Sequence, residues 1–313
     1  MSIDLCGMTL EHPLMNAAGP GKSLQDIQRL FRSATSASVL GSLTGIKQER
    51  TGNPEPNEFE SPDGIYMLNS KGLPDPGLIY YSREDIYEEL SDLMLRDPRP
   101  VILSMAPQNG LADMEDLLKL AHIWAVQGLE LNLSCPNVWD ASGSQKQLAC
   151  FNRRAIMESL SALADLLRRF DAHDWPVGIK VSPYSDPMTL EWMAQTIIEL
   201  SRRPGMPRLY VVTSNTFPNA LALDRRGKSV ISVKYAGMSG PALKPIALGQ
   251  TSMWAEALDR TDIPVVGVGG IRTGQDVADY LYAGATAVQV GRHYWRGGER
   301  VFEEILTEWV ALG

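Results

Sequence analysis

The sequence predicts a single (β/α)8 barrel, an α/β fold carrying an N-terminal hairpin and a long insertion after its second strand. Three observations predict it. Eight short, almost continuously apolar runs recur along the chain, and helical patterns separate them. No linker, repeat or low-complexity stretch divides the 313 residues, so residues 1–313 read as one domain. Runs with so few polar positions suit strands buried on both faces, as in a parallel sheet.

In chain order, "IDLCGMTLEH" (3–12) is a hairpin turning at Gly7 that would cover the barrel bottom. The strand runs follow as "PLMNAAG" (13–19), "SVLGSLT" (38–44), "PVILSMA" (100–106), "LELNLSC" (129–135), "VGIKVSP" (177–183), "LYVVTSN" (209–215), "PVVGVGG" (264–270) and "AVQVGR" (287–292). The clearest helices are expected at 112–126, 152–171, 187–201 and 273–283, with Asp186 and Thr273 as helix-start residues. A doubly wound sheet is the competing architecture, but no GxGxxG follows the first run. Residues 45–80, rich in Gly, Pro and Asn, form a long insertion on the face where barrels of this kind build their sites.

Composition narrows the function. Twenty-nine Lys and Arg against 37 Asp and Glu give a formal charge of −8, a poor basis for binding nucleic acid or anionic membrane. No apolar run reaches the roughly 20 residues of a membrane span, and the N-terminus lacks the basic start and apolar core of a signal peptide. Cys6, Cys135 and Cys150 stand at irregular spacing and make neither a disulfide framework nor a metal motif. A soluble protein of the cytoplasm is the expectation. His12, His122, His173 and His293 fall at no ligand spacing to one another, so no metal is expected.

In such a barrel, polar residues at the C-terminal ends of strands face the pocket. Here they are Asn16, Ser42, Ser104, Asn132 to Asn137, Lys180, Asn215, Gly269–Gly270 and Gly291–Arg292, a set with one lysine, one thiol and no carboxylate. The glycines of "GVGGIRTG" and "VGRHYWRGG", at the seventh and eighth strand ends, would leave backbone N–H groups and helix N-termini open to a phosphate. Tight βα turns alone would also account for them. Lys180 at the end of an apolar strand is costly to bury without a partner; it would serve a flavin ring, or else a neighbouring acid. Asn69, Asn132, Asn137 and Asn215 each bring a donor and an acceptor, and together would match the N–H and C=O edge of a cyclic imide; singly, each is a turn-former or cap. Cys135, between Ser134 and Pro136, stays open among core filler, metal ligand, nucleophile and acid/base group.

These pieces resemble the dihydroorotate dehydrogenase family, and within it the soluble class 1A branch. The matching segments are "NAAG" (16–19), "GNPEP" (52–56), "LNSKGLPDPG" (68–77), "ELNLSCPNV" (130–138), "QLACFN" (147–152), "GIKVSP" (178–183), "NTFPNALALD" (215–224), "SGPALKPIAL" (239–248) and "GVGGIRTGQDVADYLYAGATAVQVG" (267–291), in family order over nearly the whole chain. The resemblance implies a barrel carrying FMN, a homodimer, and oxidation of dihydroorotate in pyrimidine biosynthesis with fumarate or another soluble electron acceptor. It implies that Cys135 is the base and that Lys180 stabilises charge on the flavin. Asn69, Asn132, Asn137, Asn215 and Thr216 would hold the pyrimidine, and backbone at Gly72 and Leu73 its carboxylate. Ala18, Gly19, Asn132, Lys180, Gly240, Gly269, Gly270, Gly291 and Arg292 would hold FMN.

The chain also departs from that pattern. Gly41 stands where the family has a lysine at the end of strand two, and Lys71 or Lys47 is expected to replace the charge. Arg292 stands where a small hydroxyl residue usually meets the phosphate, and Trp139 begins an enlarged catalytic loop. Two other functions remain in view: a flavoenzyme acting on a different cyclic amide or alkene, and a flavin-binding barrel without catalysis.

Overall fold

The computed structural model describes residues 2–45, 47, 55–108, 110–136 and 147–313. Each of the eight apolar runs forms a strand: β1 Leu14–Asn16, β2 Ser38–Leu43, β3 Val101–Met105, β4 Gly128–Asn132, β5 Val177–Val181, β6 Leu209–Thr213, β7 Val265–Val268 and β8 Ala287–Val290. They pair in parallel in the order β1-β8-β7-β6-β5-β4-β3-β2. Helices alternate with them, including Leu111–Ile123, Arg153–Arg169, Pro187–Ser201 and Gly274–Tyr282. Thr273 and Asp186 cap the last two as the sequence indicates, each side chain accepting from backbone N–H groups of the first turn.

The barrel closes between β1 and β2 through a side chain. Asn16, fully buried, donates from Nδ2 to the Val39 carbonyl (2.7 Å) and accepts at Oδ1 from the Val39 N–H (2.8 Å). The amide thus makes the contacts a neighbouring backbone would make, and Ser36 N–H donates to the Leu14 carbonyl (2.9 Å) below it. Asn16 therefore belongs to the wall of the barrel. It is not among the residues around the cavity described below.

The hairpin forms at Ile3–Leu5 and Met8–Leu10 around Cys6–Gly7. Leu5 and Leu10 are fully buried among Met15, Ile102, Tyr210, Val212 and Val266 inside the barrel, contributing about 1.5–3 kcal/mol each. The Met8 thioether packs so closely on Gly128, at the start of β4, that a Cβ there would lie 2.8 Å from sulfur. The hairpin thus plugs the N-terminal end of the barrel. A second cluster, with Leu117, Ile156, Ile197, Trp254 and Phe302, fills the space between strands and helices.

The insertion after β2 is more ordered than a loop. Its strands Glu58–Glu60 and Met67–Asn69 join Ala236–Ser239 and Phe217–Ala220, from the segment after β6, in a four-stranded antiparallel sheet. The sequence predicts no strands there, because three- and four-residue strands show no alternation long enough to read. Residues from Glu58, Met67, Asn69 and Ser239 of this sheet line the cavity at the C-terminal face of the barrel.

Candidate active site

Pairing places Lys180 beside Asn132 on adjacent strands, with Glu130 one inward-facing position below. Lys180 is 4% exposed and donates from Nζ to Glu130 Oε1 and to Gln289 Oε1, both at 3.3 Å. Gln289 Nε2 donates to Glu130 Oε2 (2.8 Å), and the Ser104 hydroxyl to Glu130 Oε1 (3.0 Å). Sequence reasoning finds no carboxylate at the strand ends; Glu130 stands two residues short of the end of β4, beneath the cavity wall. Lys180 does have a neighbouring acid, and it also lines the cavity, as does Gln289. The acid lies beneath the lysine and the cavity beside it.

From Ser104 the network continues upward. Ser42 and Ser104 share a hydrogen bond (3.2 Å), and Asn132 Nδ2 donates to Ser42 (2.9 Å). Asn132 Oδ1 accepts from the Ser134 N–H (3.2 Å), the Ser134 hydroxyl (3.3 Å) and Asn215 Nδ2 (3.3 Å). Asn215 Oδ1 in turn accepts from the Thr216 N–H (2.7 Å). Asn69, at the end of Met67–Asn69, faces Glu58 and Gly237 across the upper sheet. The cavity therefore gathers Asn69, Asn132, Asn215 and Thr216, the last three joined by hydrogen bonds. Asn137 and Trp139 lie outside the described residues.

The three thiols differ sharply. Burial pushes Cys6 and Cys150 up to about 12, which keeps both protonated and inert. Cys135 is half-buried on the loop leaving β4. That loop is anchored where the Leu133 N–H donates to the Lys180 carbonyl (3.2 Å) and the Cys150 N–H to the Leu133 carbonyl (3.1 Å). Cys135 does not itself line the cavity, nor does Leu73, whereas Gly72 does. Sequence reasoning also misses Lys22. Burial holds its ammonium below the ordinary value, while the charges of Asp75 and, more weakly, of Cys135 act to raise it. Lys22 donates to the Pro74 carbonyl (3.0 Å), joining the loop after β1 to the segment that carries Gly72. The signal was a lysine in "AGPGKS", just beyond a strand end.

At the other end of the cavity lie Ala18, Gly19, Gly240, Gly269, Gly270 and Gly291. Gly19 has φ +130°, and a Cβ there would meet no protein atom within 4 Å. Gly269 and Gly270 are glycines for packing as well: a Cβ would come within 2.5 Å of Ala247 and 2.7 Å of Lys244 respectively. The helix N-terminus here is not open in the way the sequence suggests. Asp276 takes the N–H groups of Arg272 (2.7 Å) and Thr273 (3.0 Å), and Glu308 takes that of Gly274 (2.8 Å). Two arginines of the cavity wall, Arg272 and Arg292, carry positive charge here. Arg292 Nη2 is bound to Glu60, its Nε is buried with no protein partner, and the residue borders the cavity. The buried Ser214 hydroxyl, also on the cavity wall, has none either. Two orphaned polar atoms and a glycine-lined wall fit a phosphorylated ring cofactor such as FMN.

The substituted lysine position is closed. Gly41 has φ +85°, and a Cβ would lie 2.6 Å from Leu43 Cγ, so a lysine does not fit this backbone. Lys47 is exposed and not on the cavity. Lys71 is on it, but paired to Glu58 (2.6 Å) and seated 4.7 Å from the centroid of the Trp295 ring. Among the described residues, no group of three or more His, Cys, Asp and Glu is placed to hold a metal. No described helix is long and apolar enough to cross a membrane.

Comparison with known proteins agrees with this arrangement. The family model for dihydroorotate dehydrogenase matches residues 1–312. The dihydroorotate dehydrogenase (fumarate) of Kluyveromyces lactis is 30% identical over 98% of this chain and 91% of its own length. The dihydroorotate dehydrogenase A (fumarate) of Lactococcus lactis is 30% identical over 95% and 89%. The catalytic subunit of the dihydroorotate dehydrogenase B (NAD(+)) of Anoxybacillus flavithermus is 30% identical over 93% and 84%. The crystal structure of the Eimeria tenella enzyme in complex with ferulenol superposes with a TM-score of 0.76 at 19% identity, covering 99% of this chain and 84% of that one, a likeness of fold. With the match running the length of the barrel and its upper sheet, the chain belongs to the dihydroorotate dehydrogenase family, oxidoreductases acting on CH–CH bonds.

Proposed function

We propose that this protein is an FMN-dependent oxidoreductase that converts dihydroorotate to orotate, with Cys135 as the base. The observation that carries the reading is the convergence, in one cavity, of Lys180, the amides of Asn69, Asn132 and Asn215, and the orphaned Arg292 Nε. FMN bound there supplies the acceptor for the hydride that leaves C6 of the substrate. Arg292 Nε, with the backbone at Gly240, Gly270 and Gly291, holds its phosphate. Ala18, Gly19 and Gly269 border the ring, and Lys180 places its ammonium beside it.

The three asparagines and Thr216 hold the imide edge of the substrate, with Asn137 completing the set. The backbone at Gly72 and Leu73 receives the carboxylate. Cys135 takes the proton from C5, so that one hydride and one proton leave as the ring double bond forms. Cys135 is half-buried where Cys6 and Cys150 are buried, so its thiol is the most accessible of the three. Fumarate or another soluble acceptor would take up the electrons that the cofactor receives, and a homodimer in the cytoplasm is the corresponding assembly.

Anaerobic mixing of the oxidised, FMN-loaded protein with dihydroorotate is the direct test. Bleaching of the flavin band is expected, and Cys135→Ala should abolish it while FMN stays bound. An unbleached band with bound flavin would favour a second reading, oxidation or reduction of a different cyclic amide. The closed Gly41 position and the presence of Glu58 in the cavity are what keep that reading in view.

A further inference from the structure

Strand Glu58–Glu60 projects its first and third side chains to one face, as alternate residues of a strand must. Both are glutamates, and both engage cations of the cavity. Glu58 binds Lys71 (2.6 Å); Glu60 binds Arg292 and also Arg296 (2.8 Å). Glu58 faces Asn69 in the ladder, so its carboxylate stands beside an amide of the proposed substrate site. Lys71 is only 16% exposed and Glu58 34%, and Trp295 covers the ammonium from another side. The lysine nearest to Gly72 is thus supplied with its own anion before any ligand arrives.

We propose that Glu58 is a specificity-determining residue that competes with the ligand's carboxylate for Lys71. The proposal rests on the reading above, in which this cavity takes a cyclic amide. An anionic ring must displace Glu58 or accept its repulsion, whereas a neutral ring meets neither cost. Glu58 therefore lowers the affinity of the site for orotate relative to the same ring without a carboxylate. A consequence is that Lys71 contributes little to orotate binding while Glu58 is present and much once Glu58 is neutralised.

The test is a double-mutant cycle on the FMN-loaded protein, titrating orotate and, separately, uracil against the flavin spectrum. Glu58→Gln is expected to tighten orotate binding on the order of tenfold, the scale of one partly desolvated charge contact, and to leave uracil unchanged. Lys71→Met should change orotate binding by about twofold or less in the wild-type background, and reverse the gain in the Glu58→Gln background. Unchanged or weaker orotate binding by Glu58→Gln overturns the proposal, as does equal tightening for uracil. Flavin content of each variant verifies that its barrel is intact. If wild type and Glu58→Gln hold flavin yet bind neither orotate nor uracil, the substrate reading fails and the role of Glu58 fails with it.

Discussion

Replacing Glu130 exposes how the centre of the barrel is held. The carboxylate is fully buried and accepts from Gln289 (2.8 Å), Ser104 (3.0 Å) and Lys180 (3.3 Å). Glu130→Leu would leave the Lys180 ammonium, itself 4% exposed, with Gln289 Oε1 as its remaining partner within the network. Breaking a buried pair from one side costs about 3–5 kcal/mol, a large part of the roughly 5–15 kcal/mol that holds a typical domain together. Glu130→Gln keeps the shape and one acceptor oxygen, so its cost should be nearer to that of a charge-assisted hydrogen bond, about 1.5–3 kcal/mol. Removing both charges in Glu130→Leu/Lys180→Met should recover most of the loss, because no charge is then stranded. Urea unfolding of the flavin-free protein at neutral pH measures all three, with constant m-values required for comparison. A cost below about 1 kcal/mol for Glu130→Leu, or a double variant no more stable than that single variant, would refute the reasoning.

Asn16→Ala should lower the unfolding midpoint, since it orphans the Val39 N–H and carbonyl at the barrel seam, at about 1–3 kcal/mol for each group; an unchanged melt would show that backbone closes the seam instead. Burial works against the Asp276 carboxylate, but the Lys244 ammonium and the N–H groups of Arg272 and Thr273 outweigh it and hold it below the ordinary 3.8. A depressed carboxylate stabilises the fold above its ordinary value and loses that contribution as pH falls through the folded one, so Asp276→Asn should flatten the loss of stability below pH 3.8; parallel acid limbs in chemical denaturation would count against this. Gly41→Lys should destabilise rather than restore a missing charge, given the φ of +85° and the Leu43 clash at 2.6 Å, and a rise in orotate affinity with an undisturbed melt would contradict it. Iodoacetamide at neutral pH should label Cys135 well before Cys6 or Cys150, whose burial pushes them up to about 12; peptide mass spectrometry reads the order, and early labelling of Cys150 would be the opposing result.

The barrel itself was legible because its signal is repeated. A strand buried on both faces is apolar at most positions, so "PVILSMA" and "VGIKVSP" announce themselves without neighbours, and the helix starts at Asp186 and Thr273 follow from local hydrogen bonding. The strand ends around the cavity were legible for the same reason, since fixing the strands fixes where their last residues point. What stayed hidden depends on partners distant in sequence. The upper sheet joins 58–69 to 217–239, and neither half has enough alternation to read alone. Asn16 looks like any polar strand end until Val39 is seen beside it. The capping of Arg272 and Thr273 by Asp276 could have been read from "RTGQD", and with it the reduced role of that helix terminus as an anion site.

The hardest feature to read was the charge balance of the site, because four cations at or beside it each have a carboxylate from elsewhere in the chain. Lys180 meets Glu130 at 3.3 Å, Lys71 meets Glu58 at 2.6 Å, Lys22 lies 4.0 Å from Asp75, and Arg292 binds Glu60. The first of these pairs spans 50 residues and the last 232, separations at which sequence proximity says nothing. Counting lysines and arginines at strand ends therefore overstates the positive charge offered to a ligand. Pairing takes up much of the positive charge of the cavity wall, and an anion there would rely on donors that the carboxylates leave over, Arg292 Nε among them. Arg292 consequently has two features that the sequence shows as one residue: its Nη2 ties the insertion to the barrel through Glu60, and its Nε is buried without a protein partner. Arg292→Lys keeps a charge for Glu60 but has no second donor directed at the cavity, so FMN affinity should fall while the upper sheet stays in place.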